Sequence, residues 1–142
     1  MDRLMTREEY KRAIKKSRLK YGNEKTDGYE SKFEATVAGK LQEYQRAGAI
    51  TDLQYQQKYQ IEILDKYGEF ATIGSRYIRI DFKFSLKGKT ILLDAKGCKD
   101  KYQMLKYDIF KFYLPDQYPN HVFRLLYYRN GWEEELTELI LG

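Results

Sequence analysis

The chain has 142 residues, of which 42% are hydrophobic and 15% aromatic, so it can form one domain with a substantial core. Its net charge of +5 and its pI of about 9.1 favour a polyanionic partner. A single cysteine, Cys98, and a single histidine, His121, exclude a disulfide framework, a cysteine-based zinc site and a histidine metal cluster within one chain. The chain contains no apolar run of about 20 residues and no signal-peptide pattern, so we expect a cytoplasmic protein that does not enter a membrane.

We expect one domain, residues 1–142, made of three parts. Residues 1–28 form a basic N-terminal helix and loop, since the first 25 residues carry nine Lys or Arg against four acids. Residues 29–128 form the core, and residues 129–142 form an acidic tail. The sequence shows no internal repeat or low-complexity segment that would argue for a second unit.

The first predicted helix begins with a capping box. Thr6 is followed three residues later by Glu9, which predicts a helix from about Arg7 to Leu19. Basic side chains cover this helix, and we single out Lys11, Arg12, Lys15 and Lys16. They form either a solvated face or a set of phosphate contacts, because Lys and Arg neutralise a nucleic-acid backbone without regard to its sequence.

The second predicted helix begins at Ser31 as N-cap and ends at Gly48. Its apolar residues recur at helical spacing. They are Phe33, Val37, Leu41 and Tyr44. Glu34 has two interpretations: it completes a capping box with Ser31, or it is a carboxylate at the core edge that can reach a metal held on the sheet.

Three strands follow. Residues 52–64 alternate, with Leu53, Tyr55, Tyr59, Ile61 and Ile63 on one side, which predicts a half-buried strand. A loop containing Gly68 and Gly74 leads into a hairpin, Arg79 to Gly97, around the turn Lys87-Gly88.

Each strand of this hairpin carries an acid among apolar neighbours. If Leu86 pairs with Lys89, Asp81 lies opposite Asp94. Like charges at such a position destabilise a sheet, so a cation is expected between the carboxylates. Lys96 shares a face with Asp94 because strand side chains alternate. In the alternative interpretation both acids are exposed on a solvated face.

The rest of the chain predicts a helix, a strand and a short helix. The helix is capped by Asp100, runs to about Tyr113, and is ended by the prolines at 115 and 119. Its predicted buried stripe consists of Tyr102, Leu105, Ile109 and Phe112. A strand at 121–128, a turn at Asn130-Gly131 and a helix at 133–141 complete an α/β fold with a mixed sheet, in the order α-α-β-β-β-α-β-α. We expect the strand at 121–128 to pair in parallel with the second hairpin strand.

A family resemblance adds to these observations. Asp81, followed by Asp94-Ala95-Lys96, resembles the signature of the PD-(D/E)XK nuclease superfamily, although Ile80 stands where that name has proline. The α-β-β-β-α-β order of residues 31–128 is similar to the restriction-endonuclease-like core of that superfamily. The stretches at 29–35 and 50–59 resemble small phage-encoded proteins related to Holliday-junction resolvases.

The resemblance implies a catalytic set. Asp81, Asp94, the Ala95 carbonyl and Glu34 would hold Mg²⁺, with Mn²⁺ as a substitute, because Mg²⁺ prefers oxygen ligands. Lys96 would position or deprotonate the attacking water or stabilise developing negative charge. The choice between these roles stays open.

The resemblance also implies DNA contacts, at Lys106 on the third helix and Gln56 on the first strand. For both, a plain solvated position is the alternative.

Together these features predict a metal-dependent endonuclease acting on DNA, in particular branched DNA, in phage recombination or DNA processing within an infected bacterium. Two matched cuts in a junction imply a homodimer, and no small-molecule cofactor is expected. One alternative is a non-catalytic DNA-binding accessory protein with a nuclease-like fold. A weaker one is an interaction subunit that uses its 14 tyrosines.

Overall fold

The computed structural model describes residues 5–16, 29–64, 72–97 and 101–142. The predicted cap Asp100, the thiol of Cys98 and the loop residue Gly68 lie outside these ranges. In chain order the elements are α1 (Arg7–Lys16), α2 (Tyr29–Ala47), β1 (Thr51–Leu64), β2 (Thr72–Leu86), β3 (Lys89–Lys96), α3 (Lys101–Gln117), β4 (His121–Tyr127) and α4 (Trp132–Leu141). This order confirms the predicted α/β fold with a mixed sheet.

The four strands form one sheet in the order β1-β2-β3-β4. The β1–β2 and β2–β3 pairs are antiparallel, and β3 and β4 are parallel, as predicted for a helical connection. The two middle strands carry the acidic residues of the hairpin. No helix among the described residues is long and apolar enough to cross a membrane.

The central hairpin has the predicted register. Leu86 pairs with Lys89, and Lys87 and Gly88 have φ angles of 49° and 77°, so both take the positive values of a type I′ turn. Strand β2 is longer than predicted, because it begins at Thr72. Gly74, which we expected in a loop, pairs with Ile63 inside the β1–β2 ribbon.

Helix α2 packs on one face of the sheet, and its four predicted apolar residues are all buried. The helix ends as expected at Gly48, whose φ is 88° and whose N–H bonds to the Gln45 carbonyl. Its start was predicted wrongly: the helix already includes Tyr29, so Ser31 lies within it and cannot be its N-cap. The capping-box interpretation of Glu34 is therefore wrong.

Helices α1 and α4 lie on the same side as α2. The Thr6 hydroxyl accepts a hydrogen bond from the Glu9 N–H at 3.1 Å, which confirms the predicted cap of α1. Tyr10 of α1 stacks on Tyr44 of α2 with ring centroids 4.4 Å apart. Leu136 of α4 joins the same core cluster.

Helix α3 covers the opposite face, but with a different side than predicted. Tyr107, Phe110 and Leu114 are buried against the sheet. Of the predicted stripe, Tyr102, Leu105 and Phe112 instead face outward, with Leu105 62% and Phe112 75% exposed. Ile109 is half-buried and packs at the border of the core under α3. Both sets have helical spacing and both are apolar, so periodicity alone could not choose between them.

The C-terminal end of α3 was also predicted wrongly, because Pro115 lies inside the helix, which continues to Gln117. Tertiary contacts hold this last turn. The Gln117 side chain accepts from the Glu62 N–H and donates to the Glu62 carbonyl, each at 2.8 Å. These bonds satisfy backbone groups on the outer edge of β1.

Candidate active site

The two acids of the hairpin lie where its strands separate. The last β2–β3 pair is Phe82 with Leu93; β2 then continues beside β1 and β3 beside β4. At this point the Asp81 N–H donates to Asp94 Oδ1 at 2.9 Å, and the Ala95 N–H donates to Asp81 Oδ2 at 2.9 Å. Each carboxylate therefore takes the place of a ladder carbonyl, and the predicted neighbour relation is confirmed.

Both carboxylates are buried. Asp81 is 9% exposed and Asp94 is 0% exposed, so the interpretation as exposed acids is wrong. Burial raises the pKa of Asp81 to about 6, with a further contribution from a hydrogen bond to Glu34. Burial and then the charge of Asp81 raise the pKa of Asp94 to about 6. The site thus holds two adjacent acids whose ionisation is opposed by their surroundings.

Asp94 has two partners on the side of α3. Lys96 Nζ lies 3.2 Å from Asp94 Oδ2, and the Tyr107 hydroxyl donates to the same oxygen at 2.6 Å. Burial lowers the pKa of Lys96, but the Asp94 charge outweighs it and the pKa is raised overall. Burial and the bond to Asp94 raise the pKa of Tyr107. In this arrangement Lys96 is an ammonium and Tyr107 a neutral hydrogen-bond donor.

Glu34 and Gln56 meet Asp81 from the side of α2. Gln56 Nε2 donates to Glu34 Oε1 at 3.3 Å and to Asp81 Oδ1 at 3.4 Å. Gln56 has a φ of 53°, a left-handed value that is uncommon for a residue with a side chain. The structure thus brings the predicted residues Glu34, Gln56, Asp81, Asp94 and Lys96 together.

The regular alternation of side chains along the β1–β2 ribbon is interrupted at this site, and we call this interruption the face switch. Phe82 packs with α2, whereas Ile80 packs in the cluster under α3, although regular alternation would place both on one face. Tyr55 pairs with Phe82 and Gln57 with Ile80, which places Gln56 across from Asp81 at the switch. The switch also explains why Tyr55, predicted to be buried, is 42% exposed.

Beyond the switch the ribbon carries cations on the side of Gln56 and Asp81. Alternation puts Lys58, Arg79 and Tyr77 on that side, since Tyr59 and Ile78 point to α3. Lys58 and Arg79 are register partners and both are exposed. Lys58 Nζ lies 4.3 Å from the centroid of the Tyr77 ring.

The remaining predicted DNA contacts lie elsewhere. Lys106 is exposed on α3, next in sequence to Tyr107, and Lys11 and Arg12 are exposed on α1. Among the described contacts none of these three bonds to Asp81 or Asp94. The side chains of Lys15 and Lys16 fall outside the described residues.

Sequence reasoning missed Tyr107, Lys58 and Arg79. Tyr107 could have been found from helical spacing. It lies three residues before Phe110 and seven before Leu114, so it shares their side of α3, the side that faces the strand carrying the motif. Lys58 and Arg79 gave no signal, because their pairing depends on the length of the β1–β2 ribbon.

The donor set suits a hard cation such as Mg²⁺. Asp81 and Asp94 offer buried carboxylate oxygens at one point, and the nearby Glu34 adds a third carboxylate. In the described part of the chain, however, no three His, Cys, Asp or Glu side chains are arranged around one point as a ready metal site. Asp94 Oδ2 instead lies beside the Lys96 ammonium, so an ion could bind this oxygen only if Lys96 moved aside. The Tyr107 hydroxyl could keep its bond, because a carboxylate oxygen accepts at two positions.

Comparisons with protein-family models, with curated proteins and with solved structures gave no match.

Proposed function

We propose that this protein is a metal-dependent endonuclease that hydrolyses DNA phosphodiester bonds, with a restriction-endonuclease-like core of the PD-(D/E)XK type. The observation that carries the proposal is the buried Asp81–Asp94 pair with Lys96 3.2 Å from Asp94. Adjacent buried carboxylates are costly in a fold, and a divalent cation would offset their mutual repulsion.

In this proposal Asp81, Asp94, the Ala95 carbonyl and Glu34 hold Mg²⁺ or Mn²⁺. The bound ion would acidify a water molecule and neutralise charge on the phosphate. Gln56 keeps Glu34 next to Asp81, and Tyr107 fixes the orientation of Asp94. Raised pKa values for both aspartates support this assignment, because a cation favours their ionised form.

We assign Lys96 an electrostatic role. Its ammonium lies against Asp94 with a raised pKa, which favours a cation that stabilises charge developing on the phosphate over a neutral base that takes a proton. Lys96→Arg should then keep part of the activity, whereas Lys96→Met should lose about 100-fold or more.

The substrate we propose is DNA, in particular branched DNA. The net charge of +5 and the exposed cations of the β1–β2 ribbon support a polyanion. The preference for junctions, the homodimer, and a place in phage DNA processing in the cytoplasm of the host rest on the resemblance of the motif.

The test is cleavage of labelled four-way junction, flap and linear duplex DNA, each with Mg²⁺, Mn²⁺ or EDTA. Asp94→Asn keeps the shape of the side chain but removes its charge, and should abolish cutting while leaving DNA binding in place. Asp108→Asn, an exposed acid on α3, is the matched control and should cut normally. Cutting by Asp94→Asn at the wild-type rate would refute this site.

The alternative function is a non-catalytic DNA-binding protein with the same fold. It predicts salt-dependent DNA binding with no cleavage under any metal condition. Asp94 accepts hydrogen bonds from the Asp81 N–H and the Tyr107 hydroxyl. These bonds favour the alternative, since they satisfy the carboxylate without an ion. Metal-dependent cutting of every substrate would instead keep the nuclease and discard the preference for junctions.

A further inference from the structure

The outer face of α3 carries a stripe of large apolar side chains. Tyr102 is 87%, Leu105 62% and Phe112 75% exposed, and half-buried Ile109 borders them. Their spacing of three, four and three residues is the a/d pattern of two heptads, the seam along which helices pair. Contiguous apolar surface of this kind marks an interaction site. We call these four residues the α3 stripe.

The α3 stripe is symmetric about its midpoint. Tyr102 and Phe112 lie five residues on either side of Tyr107, and Leu105 and Ile109 lie two residues on either side. In an antiparallel pair of α3 helices related by a two-fold axis, Tyr102 would meet Phe112 of the other copy. Leu105 would likewise meet Ile109. A two-fold interface requires such a self-complementary surface.

The charges at the two ends of α3 agree with this orientation. Lys101 begins the helix and Asp116 lies in its last turn, and both are exposed. With the two-fold axis at Tyr107, antiparallel pairing brings Lys101 of one copy within about one helical turn of Asp116 of the other, whereas parallel pairing sets like charges together. From the symmetry of the stripe and these charges, we propose that the α3 stripe binds the α3 stripe of a second copy in an antiparallel, two-fold interface.

The interface leaves the candidate active site free. Tyr107 points from the opposite side of α3 to Asp94, so two copies joined through the stripe would each keep their acids on the far side of the helix. The inference names an interface for the homodimer of the proposed function, but it is argued from the stripe alone, and its tests measure association and not DNA cleavage.

The first test is sedimentation velocity over a wide range of protein concentration. Wild type should form a dimer, and Leu105→Asp/Phe112→Asp should raise the dissociation constant by about tenfold or more, because charges would be buried in the seam. Tyr77→Asp, which alters a 52% exposed aromatic on the ribbon, is the matched control and should remain dimeric. Circular dichroism checks that each variant is folded. A monomeric wild type, or a double variant that dimerises like wild type, would overturn the proposal.

The second test fixes the orientation by disulfide cross-linking in a Cys98→Ser background. Tyr102→Cys and Phe112→Cys proteins should cross-link when mixed, because antiparallel pairing brings these positions together. Neither should cross-link with itself. Self-cross-linking of either protein would show a parallel or unrelated contact and would refute the antiparallel interface. Loss of DNA binding in Leu105→Asp/Phe112→Asp without a change in association would equally refute it, since the stripe would then be a DNA surface.

Discussion

Tyr107 contacts the candidate active site but is not part of the Asp81, Asp94 and Lys96 motif. Its hydroxyl donates to Asp94 at 2.6 Å, and its ring stacks on Phe123 with centroids 5.5 Å apart. The hydrogen bond lowers the pKa of Asp94 against the larger effect of burial. Tyr107 therefore acts on Asp94 as a positioning residue and favours the ionised form that the proposed metal site requires.

Removing that hydroxyl should weaken metal binding more than folding. Tyr107→Phe keeps the ring, so we expect little loss of thermal stability. The Mg²⁺ concentration for half-maximal cleavage should rise about tenfold, since a hydrogen bond to a charged group contributes roughly 1.5–3 kcal/mol. The measurement is cleavage rate against Mg²⁺ concentration. Tyr113→Phe on the same helix is the control, and an unchanged Mg²⁺ dependence in Tyr107→Phe would contradict the assigned role.

The paired acids also predict how stability depends on pH. In the folded protein Asp81 and Asp94 have pKa values of about 6, against an ordinary value of 3.8. Between about pH 4 and pH 6 the folded state therefore binds more protons than the unfolded chain, and stability falls as pH rises. The difference between about 6 and 3.8 corresponds to about 3 kcal/mol for each group, so in EDTA the two acids together should cost on the order of 3–6 kcal/mol at neutral pH.

Scanning calorimetry of the metal-free protein measures this effect. Wild type should lose stability from about pH 4 to pH 6.5 relative to Asp81→Asn/Asp94→Asn, which lacks both titrating groups. At neutral pH the double variant should be the more stable protein, and Mg²⁺ should raise the melting temperature of wild type only. If the two proteins had parallel pH profiles, the pKa values of the two acids would not be raised in the folded state.

At the scale of elements, the proposed function places a DNA backbone along the β1–β2 ribbon. Lys58 and Arg79 lie two residues beyond Gln56 and Asp81, or about 7 Å at the rise of a strand. They stand directly opposite each other, and like charges so placed are unfavourable unless an anion lies between or above them. In the proposed function, a phosphate next to the scissile one would supply that anion.

Lys58→Ala/Arg79→Ala should therefore weaken DNA binding on every sequence tested. The slope of log affinity against log salt should fall by about 2, because two phosphate contacts are lost. Fluorescence anisotropy in EDTA measures binding without cleavage. The control is Lys87→Ala/Lys89→Ala at the hairpin turn, which removes the same charge from exposed positions. An equal loss in both variants would mean that only net charge matters.

At the scale of the whole molecule, one sheet serves two cores. Leu93 packs in the cluster with α2 and α4, and Leu92 in the cluster under α3. Leu92 is 0% and Leu93 1% exposed. Since both belong to the middle strand β3, loosening either core should loosen the strand that carries Asp94.

Leu92→Ala and Leu93→Ala should each lower the free energy of unfolding by about 2–5 kcal/mol, which is the usual cost of a cavity in a core. Urea denaturation followed by circular dichroism and by tyrosine fluorescence should show a single coincident transition for both variants. Lys89→Ala on the same strand should change stability by less than about 0.5 kcal/mol. Separate transitions would show that the two cores unfold independently.

The sequence by itself determined the order of elements, the hairpin register and the neighbourhood of Asp81, Asp94 and Lys96. These features follow from local rules: alternation along a strand, capping at Thr6, and a turn that fixes which residues face each other. Glu34 was left with two interpretations because its local pattern fitted both a cap and a site. The observed start of α2 at Tyr29 removed one of them.

Only the tertiary structure decided the rest. The buried side of α3 depends on which of two apolar stripes meets the sheet, and the continuation of α3 through Pro115 depends on bonds to Glu62 far along the chain. The face switch at Gln56 and the bond from Tyr107 to Asp94 likewise need partners that are distant in sequence. Long-range contacts select among conformations that local propensity leaves nearly equal in free energy, which is why no local pattern could predict them.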